Sequence, residues 1–167
     1  MKKYLVIGLE STCTRIVARL IALNLGLINA IDDWGGEDVI ESDRHSVTHR
    51  SIPHGSRLEK RIFPSLKDTM EFDIVVVTSR DINCSLHSKM RAHQPEKGVA
   101  IQENNIAIKN LKEILTNRNA IIFSYESAQV FQDAYISQFL KSLDIDNPVV
   151  VQFDNINEKY FMRKEDE

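Results

Sequence analysis

Cysteine is scarce in this chain: Cys13 and Cys84 are the only two among 167 residues. Two cysteines cannot build a disulfide framework, and so small a number points to a reducing compartment. Long apolar runs are missing as well. No stretch approaches the roughly 20 residues that span a bilayer. The apolar run at the N-terminus is too short for a signal peptide and leads straight into Gly8 and Glu10. The expected location is therefore cytoplasmic, with no membrane span. A surplus of charge of one sign is also lacking. The net charge of −3 argues against a general nucleic-acid binder, so any anion site has to be local. Internal repeats and low-complexity segments are absent too. What is present is a soluble-protein composition, 43% hydrophobic and 27% charged, on a chain long enough to bury a real core. One domain over residues 1–158 is expected, followed by a highly charged, frayed tail at 159–167.

The stretch from Lys2 to Leu20 organises the rest. Leu5-Val6-Ile7 stands directly before Gly8; then come Leu9, Glu10 and the small residues Ser11, Thr12, Cys13 and Thr14, and an apolar run begins at Ile16. That order reads as strand, tight loop and helix start. The first-turn amides of such a helix have no intrahelical acceptor, and with the helix dipole they favour an anion, phosphate above all. The loop lacks the Lys-Ser/Thr ending of the nucleotide triphosphate P-loop.

Arg15 to Leu27 is apolar nearly all round, with Arg15 and Arg19 one turn apart, and reads as a buried helix with a cationic edge. Residues 32–38 read as an acidic surface loop holding Trp34. The charge then reverses: Arg44, Arg50, Arg57, Lys60 and Arg61 lie close to His45, His49 and His54. Residues 45–51 have weak strand character, and 52–56 read as a turn. Arginine and histidine beside a phosphate loop suit reception of a polyanion and supply of a base.

Phe72 to Thr78 is the clearest strand, a run that fits a central parallel position covered on both faces. It ends at Ser79-Arg80-Asp81, at the edge where open α/β sheets bind ligands. Asn83 to Ala92 reads as a helix carrying Ser85 and Ser88, broken at 93–98, and Ile101 to Leu115 as an amphipathic helix. Ala120 to Tyr125 reads as a buried strand, and Val149 to Phe153 as a final strand. Between these two strands Val130, Phe131, Ala134, Tyr135, Phe139, Leu140 and Leu143 recur at helical spacing as a core stripe. The pattern predicts an α/β fold, a three-layer α/β/α sandwich with a mainly parallel sheet.

Two of these stretches together resemble the sulfotransferases that use 3′-phosphoadenosine 5′-phosphosulfate. In their carbohydrate branch the first loop looks like G-V-R-K-G-G-T-R. Gly8, Glu10, Ser11, Thr12, Cys13, Thr14 and Arg15 occupy that loop here, with the first glycine and the closing Thr-Arg kept. The family's second site is an arginine at a strand end and a serine eight positions later; Arg80 and Ser88 match it. Tyr125-Glu126 and Phe139-Leu140 are similar to a further strand-end pair and helix. The likeness touches the chain from Val6 to about Ile145 in matching order.

The resemblance implies a P-loop NTPase-like fold and sulfuryl transfer to a hydroxyl or amine of a small-molecule or glycan acceptor, with no metal required. The loop would hold the 5′ phosphosulfate, and Arg80 and Ser88 the 3′ phosphate. His49 or His54 would act as base, with Glu41 as a further candidate. The family's loop lysine falls at Ser11, its glycines at Thr12 and Cys13, and the acid Glu10 stands where its charge would repel the cofactor. Arg15, Arg50 and Arg57 are the candidate replacement cations. Two alternatives stay open: a P-loop kinase with ATP and magnesium, for which Asp81 is the best-placed metal ligand, and a non-catalytic anion-binding module.

Overall fold

The computed structural model describes residues 1–33, 38–55, 61–93, 95–151, 153 and 157. The apolar N-terminal run becomes β1 (Lys2–Leu9), and the small-residue loop leads into α1 (Thr14–Asn24). A short β2 (Val39–Glu41) turns back into β3 (His45–Ile52), and the valine run forms β4 (Ile74–Ser79). Then follow α2 (Ile82–His93), α3 (Lys97–Asn117), β5 (Ile121–Ser124) and α4 (Tyr125–Lys141). The strands make one five-stranded sheet in the order β2-β3-β1-β4-β5. Every neighbouring pair is parallel except β2 with β3.

β1 is the axis of this sheet and is covered on both faces. On one face Tyr4 and Val6 join Val47, Val76 and Phe123 under Val17, Leu20 and Ile21 of α1 and Ile136, Phe139 and Leu140 of α4. On the other, Leu5, Ile7 and Leu9 join Ile52, Val75 and Val77 under Ala107, Leu111 and Ile114 of α3. The result is three layers, helix on sheet on helix. No helix among the described residues is long and apolar enough to cross a membrane.

The layering sets the position of the site. The crossover from β1 runs through α1 toward β3 over one face. The crossover from β4 runs through α2 and α3 toward β5 over the other. The chain thus leaves two adjacent strands in opposite directions, and a crevice opens at their carboxyl ends, the usual ligand position in open α/β sheets. Register brings those ends level, since Gly8 pairs with both Ser51 and Thr78.

Several expectations are corrected by tertiary contacts. Val149–Phe153 is not a strand among the described residues. Its backbone is taken up by side chains: Asn24 accepts from the Val149 N–H at 2.7 Å and donates to the Val149 carbonyl at 3.0 Å, and Gln129 donates to the Phe153 carbonyl at 2.8 Å. The stripe on α4 does not hold either, because Gln132 sits at φ 43°, ψ −125° and resets the helical phase. Val130 and Phe131 are exposed, whereas Phe139 and Leu140 are buried. β5 is an edge strand with Ile122 outside rather than a fully buried one. Trp34, Arg57, Lys60 and the tail at 159–167 lie outside the described residues.

Gly8 has a packing role in this architecture. A Cβ there would run onto the Thr78 hydroxyl and lie 2.5 Å from Thr12 Oγ1 and 2.9 Å from the Thr78 carbonyl oxygen. Backbone and hydroxyls that share a hydrogen bond have little room to move aside. Gly8→Ala should lower stability by about 1–3 kcal/mol, as overpacking does, read from the urea midpoint at unchanged m-value.

Candidate functional site

The loop between β1 and α1 is held by contacts from several elements. Ser11 and Cys13 adopt left-handed backbone with φ of 68° and 65°, a conformation that costs a non-glycine residue about 1–3 kcal/mol. Thr12 offsets this from inside: its hydroxyl donates to the Leu9 carbonyl at 2.6 Å and lies 2.8 Å from Thr78 Oγ1. Glu10 N–H reaches the Ile52 carbonyl at 3.3 Å, and Ser85 Oγ donates to the Glu10 carbonyl at 2.8 Å. Arg80 Nη1 donates to the Ser11 carbonyl at 2.9 Å. Thr12 therefore points into the protein, where it shapes the loop instead of meeting a ligand.

α1 begins without a side-chain cap at Cys13 and without an acid in its first turn. Arg15 lies exposed there instead. A cation at a helix N-terminus is unfavourable by a few tenths of a kcal/mol to about 1 kcal/mol. A bound anion would reverse the sign of that interaction.

Glu10 does not repel anions as expected, because its charge is neutralised from behind. Arg61 pairs with its carboxylate, and Lys89 Nζ stands 3.5 Å away. Both cations also hold Glu103, Arg61 at 3.0 Å and Lys89 at 2.7 Å, and Asn104 Oδ1 accepts from Lys89 at 3.2 Å. Two acids and two bases share this buried cluster.

On the β3 side the three residues expected to be catalytic converge on one carboxylate. Asp38 Oδ2 lies 3.0 Å from His54 Nε2 and 3.3 Å from Arg50 Nη1, and its Oδ1 lies 3.5 Å from His49 Nε2. Burial pushes the His49 imidazole down to about 4 against the pull of Asp38. Burial alone would raise the Asp38 carboxyl, but its hydrogen bond to His54 and the charges of His54, Arg50 and His49 hold it below the usual range.

On the β4 side Arg80 is buried against the Tyr125 ring, 5.1 Å from its centroid, and its Nε donates to Asn157 Oδ1 at 2.7 Å. Asp81 caps α2: its Oδ1 accepts from the Cys84 and Asn83 amides at 2.9 Å each, and these bonds, that of Cys84 foremost, hold its carboxyl down. Glu126 Oε1 in turn accepts from the Asp81 N–H at 2.8 Å and from Asn157 Nδ2 at 3.1 Å.

These elements enclose a cleft of about 680 Å³, within the range of small-molecule sites. Of the residues singled out from sequence, Glu10, Ser11, Cys13, Thr14, Arg15, His49, His54, Arg80 and Ser88 line it, and Gly8, Thr12 and Arg50 do not. Asp38 also lines it and was missed, since only the β2–β3 register brings it there. Arg61 was visible as one charge in a basic run, but nothing local pairs it or Lys89 with Glu10. Burial pushes the Cys13 thiol well up, so it stays protonated near neutral pH. Among the described residues no group of three or more His, Cys, Asp or Glu side chains is arranged to hold a metal ion.

Two stability effects follow. Lys89 is fully buried, and Lys89→Met would leave its acids short of a partner, so a loss of about 3–5 kcal/mol is expected in chemical denaturation. His49 binds its proton more weakly folded than unfolded. Stability should therefore fall as pH drops from about 7 to 5, by about 2 kcal/mol from the shift between 6.5 and about 4. Asp38, with its lowered carboxyl, adds a loss only below about pH 4. His49→Gln should flatten the upper part of that profile, measured as urea midpoint against pH.

Set against protein-family models, curated proteins and solved structures, the chain matches none of them.

Proposed function

We propose that the chain transfers a sulfuryl group from 3′-phosphoadenosine 5′-phosphosulfate to a small-molecule or glycan acceptor, on a P-loop-like fold. One observation carries the reading: Glu10, Ser11, Cys13, Thr14 and Arg15 of the loop and the pair Arg80 and Ser88, far apart in sequence, line a single cleft. Two anion-binding sets in one crevice suit a ligand with two phosphate-bearing ends. The Glu10 and Thr12 amides already donate to the Ile52 and Leu9 carbonyls, so in this reading the amides of Ser11, Cys13 and the first turn of α1 receive the 5′ phosphosulfate, with Ser11 and Thr14 hydroxyls adding bonds. Ser88 meets the 3′ phosphate. Arg80 lines the same end while bracing Ser11, so it joins the two sites. The positioned donors act where charge develops, which is the larger part of catalysis in transfers of this kind.

Ser11 in the lysine position leaves one cationic role to fill. Arg50 is engaged by Asp38 and by the His49 carbonyl, 3.1 Å from its Nη1, and Arg57 lies outside the described residues. Arg15, at the cleft and exposed, takes the role in this proposal. For the kinase alternative Asp81 remains the candidate metal ligand, with its Oδ1 engaged in capping α2. A non-catalytic anion binder is the second reading, and Ser11 is the residue that favours it.

Titration calorimetry with adenosine 3′,5′-bisphosphate in the absence of magnesium tests the assignment. Saturable one-to-one binding is expected, weakened about tenfold or more in Arg15→Ala and in Ser88→Ala, the worth of one charge-assisted bond. Binding of magnesium-ATP in preference to the bisphosphate would overturn it. Bisphosphate binding without donor consumption would select the non-catalytic reading.

A further inference from the structure

Glu10 and Ser11 are neighbours in the loop after β1, and Ser88 and Lys89 are neighbours on α2. Ser11 and Ser88 line the cleft, while the Glu10 carboxylate and the Lys89 ammonium stand 3.5 Å apart in the buried cluster. α2 holds Glu10 at a second point as well. Ser85 Oγ donates to the Glu10 carbonyl at 2.8 Å. Ser85 and Lys89 are four residues apart, which places them one above the other on one face of the helix. Ser88 falls within the turn that they bracket.

We propose that Ser85 and Lys89 are positioning residues: by fastening α2 to Glu10 they set the separation between the loop and Ser88, and this fixed separation favours a ligand with an anionic group at each end over a ligand with one. The inference rests on the sulfuryl-transfer reading above and deepens it at the donor site. Both side chains are fully buried, so neither touches the ligand and each acts through Glu10. Glu103 steadies Lys89 from α3 at 2.7 Å and Arg61 at 3.0 Å. The two acids and two bases cancel in formal charge, so the cluster supplies the cleft with position more than with field.

A ligand with two anionic ends gains from its second contact because that contact is made within the complex already formed by the first. The gain is present only while the geometry lets both ends engage together. Arg80 holds the Ser11 carbonyl at 2.9 Å from the end of β4. Ser88 lies about two turns further on, in the middle of α2, and Ser85 and Lys89 tie that part of the helix to the loop. With these ties cut, each anion set keeps its own donors, but the distance between the sets is no longer held. A ligand with one anionic end does not read that distance.

Titration calorimetry of the full chain with adenosine 3′,5′-bisphosphate, adenosine 5′-monophosphate and adenosine 3′-monophosphate tests this, compared with Ser85→Ala and Lys89→Met. The quantity read is the ratio of bisphosphate to monophosphate affinity. The unaltered chain is expected to prefer the bisphosphate over both monophosphates. That preference should fall about threefold in Ser85→Ala and about tenfold in Lys89→Met, the worth of a neutral and of a charged hydrogen bond. A loop that is merely less stable, or a cleft with one charge fewer, weakens all three ligands alike and leaves the ratio where it was. Ser85→Ala changes no charge, and it decides the matter where Lys89→Met does not fold. An unchanged ratio in folded Ser85→Ala, with the preference intact in the unaltered chain, would overturn the inference and spare the two-ended binding reading. Absence of any preference for the bisphosphate in the unaltered chain would overturn both.

Discussion

The buried cluster of Glu10, Arg61, Lys89 and Glu103 is the interaction on which the rest of the site depends. It joins the loop after β1, the segment leading out of β3, and α2 and α3, four pieces of chain that share no strand pairing. Charges out of water are tolerable only when each has its partner, so the cluster has one good arrangement and no graded alternatives. Fixing Glu10 at its head fixes where the loop begins. Ser85 on the Glu10 carbonyl and Arg80 on the Ser11 carbonyl then fix how it continues. An acid that looks out of place in a loop read from sequence as a phosphate site is, in the folded chain, the point by which that loop is anchored.

The site divides along the sheet in the same way. Strands β3, β1 and β4 end side by side, and each brings one kind of side chain or backbone to the cleft: imidazole beside the Asp38 carboxylate that precedes β2, backbone amides with an arginine, and a braced arginine with a serine. Neighbouring parallel strands stand about 4.8 Å apart, so the three contributions meet in one cleft.

What could be read from the sequence was what is written locally. β1, β4 and the loop between β1 and α1 follow from short apolar runs ending in small or polar residues, and the helices at 82–93 and 97–117 contain the expected spans. Hidden were features whose cause lies elsewhere in the chain. β3 has only weak alternation, yet it is an interior strand, because β1 and β2 both pair with it. β2 is three residues long, too short for any periodic signal, and with it went the position of Asp38. Val149–Phe153 has the composition of a strand, but the amide of Asn24 satisfies its first backbone groups. The apolar spacing on α4 is real; the break at Gln132 turns part of it to solvent.

The loop residues with left-handed backbone have one more consequence. Glycine would enter that region freely, and a glycine-rich phosphate loop is correspondingly mobile until its ligand orders it. Ser11 and Cys13 are held there by the surrounding bonds, so the chain meets the ordering cost when it folds and not when it binds. Such a loop behaves as a mould rather than a wrap. In the proposed reading it favours ligands whose anionic group already has the right shape, and it gives up the adaptability with which a glycine loop would accommodate several.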